Sequence, residues 1–167
     1  MKRLLIVVVA AAIVGSLAPQ AHSIGAFFSY WNGKDTDNGY GLGVNYNIKI
    51  IPLVDAEIRA SWLSFSDDDP GMNLYPLEGL ARFKLGLFYL GAGVGYYVFS
   101  GSDDVKWDNA WGVFGVGGAG ISIAKIGIFG ELKYTWVETK ITEPAPAAGD
   151  VDGSGIGINV GVTFGWI

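Results

Sequence analysis

Ile156-Gly157-Ile158-Asn159-Val160-Gly161-Val162-Thr163-Phe164-Gly165-Trp166-Ile167 is the stretch on which the reading of this chain turns. From Ile156 to Trp166 the even positions are Ile156, Ile158, Val160, Val162, Phe164 and Trp166, and the odd ones are Gly157, Asn159, Gly161, Thr163 and Gly165. A strict period of two puts successive side chains on opposite faces of an extended strand. One face is greasy and the other is small or polar.

The opposite end of the chain supplies the setting. Lys2 and Arg3 precede an apolar run from Leu4 to Val14, followed by Gly15, Ser16, Pro19 and a small-x-small site at Ala21, His22 and Ser23. That is the layout of a secretory signal peptide over residues 1–23, cleaved before Ile24. The run falls short of the about 20 apolar residues a membrane helix needs. An exported strand with one lipid-loving face belongs in the wall of a bacterial outer-membrane barrel, with residues 24–167 as that barrel. Loss of Lys2 and Arg3 moves the net charge from −5 to −7, which argues against a nucleic-acid partner. With no cysteine in the chain there is neither a disulfide nor a thiolate metal site.

Seven more segments alternate in the same way, which predicts an all-β, eight-stranded, antiparallel, up-and-down transmembrane barrel. Tyr40, Leu42, Val44, Tyr46 and Ile48 share one face, with Gly41, Gly43, Asn45 and Asn47 on the other. Between Leu53 and Phe65, Val54, Ala56, Ile58, Ala60 and Trp62 face lipid while Asp55, Glu57, Arg59 and Ser61 face inward. Slipping that strand by one residue would push three charges into hydrocarbon, at roughly 2–4 kcal/mol for a cation at mid-depth. From Asn73 to Lys84 the inward set is Glu78, Leu80, Arg82 and Lys84. From Leu87 to Phe99 it is Gly91, Gly93 and Gly95 beside Tyr89 and Tyr97, and from Ile126 to Val137 it is Phe129, Glu131, Lys133 and Thr135. Ile24–Asn32 is bulky on both faces, and Trp111–Ile123 is glycine-rich, with Trp111, Val113 and Ile121 assigned outward.

The connections alternate between short turns at 49–52, 85–86 and 124–125 and longer loops at 33–38, 66–72, 100–109 and 138–154. Short turns and both termini go to the periplasm, and the acid-rich long loops go outside. Tyr40, Trp62, Tyr75, Tyr96, Trp111, Tyr134 and Trp136 fall toward the outer ends, and Tyr46, Phe83, Phe88, Phe164 and Trp166 toward the inner ends, as two aromatic girdles. A soluble sandwich or lipocalin-like barrel also alternates, but its water-facing side would carry Lys, Glu and Thr rather than this bulky apolar set.

Leu90-Gly91-Ala92-Gly93-Val94-Gly95-Tyr96-Tyr97 and Gly161-Val162-Thr163-Phe164-Gly165-Trp166, with the signal peptide and the eight strands, resemble the small outer-membrane β-barrel family that includes OmpA-type and OmpX-type porin-family domains. The resemblance spans residues 24–167. It implies a cell-envelope protein of a Gram-negative cell, inserted by the barrel-assembly machinery and surrounded by outer-membrane lipid and lipopolysaccharide. Members usually end on an aromatic residue that this machinery reads. Here Ile167 follows Trp166.

An eight-stranded barrel is filled by its own side chains, so an open channel is not its default. Asp55, Glu57, Glu78 and Glu131 face inward against Arg59, Arg82, Lys84 and Lys133, and their formal charges cancel. Neighbouring strands suggest Glu57 with Arg82 and Arg59 with Glu78, while Glu131 and Lys133 reach across. These eight residues form either an ion-pair plug or the lining of a water-containing interior, and Gly91, Gly93 and Gly95 either make room for bulky neighbours or leave a void.

No catalytic, cofactor-binding or metal-binding residues are assigned. The only histidine, His22, leaves with the signal peptide, which removes the usual general base of lipid-modifying or proteolytic barrels. Asp67-Asp68-Asp69-Pro70-Gly71 reads as an acidic turn, or as a weak divalent-cation contact at the lipopolysaccharide surface. The stretch from Glu143 to Gly149 is linker chemistry at an exposed tip. Two roles follow: a non-catalytic envelope or adhesin-like barrel that meets an extracellular ligand or host surface through its outer loops, or a small pore or carrier for small solutes or apolar ligands.

Overall fold

The computed structural model describes residues 22–34, 36, 38–65, 72–100, 106–143 and 149–166. Its strands are His22–Gly33 (β1), Asn38–Ile51 (β2), Val54–Phe65 (β3), Met72–Leu85 (β4), Phe88–Ser100 (β5), Lys106–Trp107 (β6), Ala110–Ile123 (β7), Ile126–Glu143 (β8), Gly149–Asp152 (β9) and Gly155–Trp166 (β10). The expected signal residues 1–21, the Asp67–Asp69 turn and the 144–148 part of the proline-rich tip lie outside the described residues. β1 begins at His22, two residues before the expected cleavage junction.

Eight of these strands form one antiparallel wall in the order β10-β1-β2-β3-β4-β5-β7-β8, and β8 pairs β10 to close it. Closure removes every free edge, which is how a sheet satisfies its backbone polar groups inside hydrocarbon. Cα partners run from Ser23 through Asn47, Glu57, Leu80, Gly93, Phe114, Thr135 and Gly155 to Gly33. The circuit closes ten residues further along the strand on which it began. With that stagger the strands tilt roughly 35–45° from the barrel axis.

Alternation sorts the two faces as the sequence predicts. Thirty-odd bulky apolar side chains from Ile24 to Phe164 are exposed on the outer wall, while charged and amide residues such as Glu57, Arg59, Glu131 and Asn159 are buried inside. The two ambiguous strands also resolve. In β1, Gly25, Phe27, Ser29 and Trp31 point inward, and in β7, Trp111, Val113 and Ile121 point outward while Phe114 and Val116 fill the lumen. Phe27 fits inside because Gly43 faces it: a Cβ there would come within 3 Å of the ring.

One expectation is corrected at the long-loop end. Residues 100–109 and 138–154 read as loops, whereas β8 continues to Glu143 and pairs with β9, Glu138 opposite Asp152 and Ile141 opposite Gly149. β6 pairs the far end of β8. β-Branched Val137, Thr139 and Ile141 carry the strand pattern past the expected end of the segment, and such residues favour extended backbone.

Two connections at the other end show what the tight turns require. Gly86-Leu87 joins Leu85 to its partner Phe88, and Ala124-Lys125 joins Ile123 to its partner Ile126. In each, the first central residue has positive φ, 65° for Gly86 and 55° for Ala124, the pattern of a II′ hairpin turn. Alanine is strained there and glycine is not. Ala124→Gly is expected to stabilise the barrel by about 1 kcal/mol, read as a higher urea midpoint for unfolding from lipid vesicles.

Gly41 marks a close approach within the wall. A Cβ on it would run into the backbone carbonyl of Trp62 on β3, which cannot move without disturbing the ladder, whereas a Cβ on Gly79 meets nothing within 4 Å. Gly41→Ala is therefore expected to cost about 1–3 kcal/mol, with Gly79→Ala neutral or slightly stabilising in the same unfolding titration.

Candidate functional site: the lumen

Alternation aims the inward residues of β3, β4 and β8 at one another across a narrow interior, and their charges meet as a chain of alternating sign. Lys84 contacts Asp55, and Asp55 Oδ2 lies 3.6 Å from Arg82. Arg82 Nη1 lies 2.7 Å from Glu57 Oε2, and the other Glu57 oxygen accepts from Arg59 Nε. Arg59 then grips Glu131 with both terminal nitrogens, Nη2 donating to Oε2 at 2.8 Å. β3 and β8 stand four strands apart in a wall of eight, so the Arg59–Glu131 bridge spans the full diameter.

Neutral side chains add donors to two of these carboxylates, Glu131 and Glu57. Tyr89 and Asn159 each donate to Glu131 at 2.8 Å, and Asn45 donates to Glu57 at 2.9 Å. Arg82 also donates to Asn47 and lies over the Tyr89 ring at 5.1 Å. A buried charge left without partners is very costly, and here the Glu131 carboxylate of the diametric bridge accepts from Arg59, Tyr89 and Asn159.

A second pair lies nearer the long loops. Lys133 Nζ is 2.7 Å from Glu78 Oε1, which also accepts from the Tyr97 hydroxyl at 2.9 Å. The ammonium sits 5.0 Å from the Trp31 ring and 5.5 Å from the Phe114 ring. Beyond it, Trp31, Leu63, Phe65, Leu74, Tyr97, Phe99, Ala110 and Val137 pack into one buried apolar cluster across the lumen. Nothing in the charge pattern signalled this cap. Its signal was the inward bulk at the loop ends of β1, β3, β4 and β5.

The structure places all eight residues singled out as a lumen network inside the barrel, six in one chain and Lys133 with Glu78 in a separate pair, and one pairing differs from expectation. Arg59 and Glu78 are Cα partners across β3 and β4, yet Arg59 engages Glu57 and Glu131 while Glu78 takes Lys133. A guanidinium on β3 is long enough to cross the interior to a bidentate partner, the geometry it favours over a single lateral contact. The inward glycines make room for rings. A Cβ on Gly93 would come within 3 Å of the Phe114 ring, and one on Gly95 within 3 Å of the Tyr97 ring.

Of the girdle residues, Tyr40, Trp62, Tyr75, Trp111, Tyr134 and Trp136 lie exposed toward the long-loop end, with the Tyr96 ring tilted against that of Trp111 at 5.1 Å. Tyr46, Phe83, Phe88 and Phe164 lie exposed toward the turn end, and the side chain of Trp166 lies outside the described residues. His22 is on the outer wall, its Nδ1 2.9 Å from the Tyr46 hydroxyl, and takes no part in the lumen. Among the described residues no group of three or more metal-ligating side chains converges.

At the long-loop rim, Lys34 Nζ lies 2.8 Å from Asp152 Oδ2. Hydrogen bonds from Lys34 and Ser154 hold the Asp152 carboxyl down to about 2, against an ordinary value of 3.8. A carboxylate whose folded value is depressed contributes stability above its unfolded value and loses it as pH falls through the folded one. The rim contact is therefore expected to be complete above pH 3.8 and lost as pH falls through about 2. An NMR titration of the Asp152 carboxyl carbon checks the midpoint.

No protein-family model matches the sequence, and no curated protein does. Among solved structures, the chain is similar to Neisserial surface protein A, at 13% identity and a TM-score of 0.64 over 88% of this chain and 97% of that one. It is also similar to Ail, the attachment invasion locus protein of Yersinia pestis, at 13% identity and a TM-score of 0.51 over 88% and 97% of the two chains. The fold is that of the small eight-stranded outer-membrane barrels.

Proposed function

We propose that this chain is a non-catalytic barrel of a bacterial outer membrane, its termini periplasmic, whose lumen is closed and whose surface role falls to the long outer loops. The observation that carries this reading is the Arg59–Glu131 bridge across the full diameter, lying beneath the apolar cap around Trp31 and Tyr97. A barrel sealed twice along its axis is built for integrity rather than passage. Outer-membrane lipid and lipopolysaccharide surround it in this reading, and the barrel-assembly machinery inserts it.

A catalytic role finds little support in the lumen. The inward acids are engaged by cations or tyrosine, an arrangement that neutralises them rather than readying them for proton transfer, and the one histidine is on the outside. The adhesin-like reading draws on the pairing of β6 and β9 with the far end of β8, which extends the strands beyond the wall at the long-loop end. Planar-bilayer recording of the purified barrel tests the closed lumen. The expected trace is silent, and steady single-channel openings would favour the pore or carrier reading.

A further inference from the structure

The turn end of the barrel holds a cavity of about 370 Å³ that the ionic chain closes from above. We propose that this vestibule binds a small oxyanion of the phosphate class, taken free from solution.

Its chemistry is that of an anion site. Arg82, Lys84 and Lys125 line it, Asp55 is the one acid among the described lining residues, and the hydroxyls of Ser122 and Thr163 add donors. One oxygen of that acid, Oδ2, holds both Lys84 and Arg82, and the other is buried away from the cavity. Arg82 is 7% exposed and its guanidinium is held by Glu57, Asp55 and Asn47, so it adds a fixed positive charge behind the cavity wall rather than a free donor. Two ammonium groups and two hydroxyls around a concave site, backed by the Arg82 charge, suit a small oxyanion better than a sugar or an apolar solute. The volume accepts an orthophosphate with a few waters and excludes a large solute.

The scaffold around the mouth is firm. Gly165 N donates to the Lys125 carbonyl at 2.8 Å, tying the 124–125 turn to β10, and Lys84 N donates to Leu53 O at 2.8 Å. Substituting the Lys84 or Lys125 side chain leaves both backbone contacts in place. The site does not depend on whether the barrel conducts, so its failure and that of the closed-lumen reading are separable.

Equilibrium dialysis of radiolabelled orthophosphate against the barrel in dodecyl maltoside, a phosphate-free detergent, tests it at low ionic strength. One saturable site per barrel is expected. It should weaken about tenfold in a Lys84→Gln, Lys125→Gln double variant, since each partly exposed charge contact contributes up to about fivefold, while heat-shifted gel mobility reports that the variant is folded. Absence of saturable binding, or equal binding by wild type and folded double variant, overturns the proposal. A short-chain phosphatidylglycerol arm separates the sources: binding of the lipid phosphate without binding of orthophosphate also overturns it.

Discussion

Arg59→Ala is expected to destabilise the barrel by about 3–5 kcal/mol, the cost of leaving buried carboxylates without their counter-charge. Arg59 is 1% exposed and holds Glu131 on the far wall and Glu57 on its own strand. Removing it leaves Glu131 with only Tyr89 and Asn159 as donors, while Glu57 keeps Arg82. The loss therefore falls mainly on Glu131. An Arg59→Met, Glu131→Met double variant should recover most of it, because apolar residues of similar volume commonly replace a buried pair at little cost. Urea unfolding from lipid vesicles reads the stability, and bilayer recording of the single variant should stay silent, because the apolar cap still closes the lumen. If the stability does not change, the residues merely line a wet interior.

Leu132→Arg is expected to cost about 2–4 kcal/mol in a bilayer. Leu132 lies near the middle of β8, 60% exposed on the outer wall, flanked by Gly130 and Tyr134 on the same face. Its neighbours along the chain, Glu131 and Lys133, are buried inside. A cation at 132 would have to shed its hydration against acyl chains, whereas on a soluble protein the same exposed position would tolerate arginine within about 0.5 kcal/mol. The contrast between these costs is large enough to read in the same urea titration.

The faces of the wall were legible because a period of two leaves no ambiguity once charges mark one side. Asp55, Glu57 and Arg59 alternate with Val54, Ala56, Ile58 and Ala60, and only one facing keeps all three charges out of lipid. Lumen partners were only partly legible. Register places Arg59 beside Glu78, but a long side chain in a narrow cylinder chooses among groups on every strand, and that choice depends on depth and tilt. Glu57 with Arg82 could be anticipated because the two are of opposite charge on the inward faces of adjoining strands, and Glu131 because β8 stands opposite β3.

The apolar cap and the β9 hairpin escaped for different reasons. Leu63, Leu74, Phe65 and Phe99 are apolar residues on the inward face, and a rule that reserves the inside for polar groups passes over them. They lie near the loop end, where a plug of rings can pack without exposing charge to lipid. The hairpin was hidden by Gly149, Asp150 and Asp152, which suggest a loop when read alone and become a strand once Thr139 and Ile141 on β8 offer a ladder.

The outer wall of the barrel needs a non-aqueous solvent. Refolding residues 24–167 from urea by dilution, followed by far-UV circular dichroism and sedimentation, tests this directly. With phospholipid vesicles or detergent micelles the chain should gain β-structure and migrate as a compact, heat-shifted species, while in plain buffer it should remain unfolded or aggregate. A monodisperse, folded monomer in plain buffer would contradict the account.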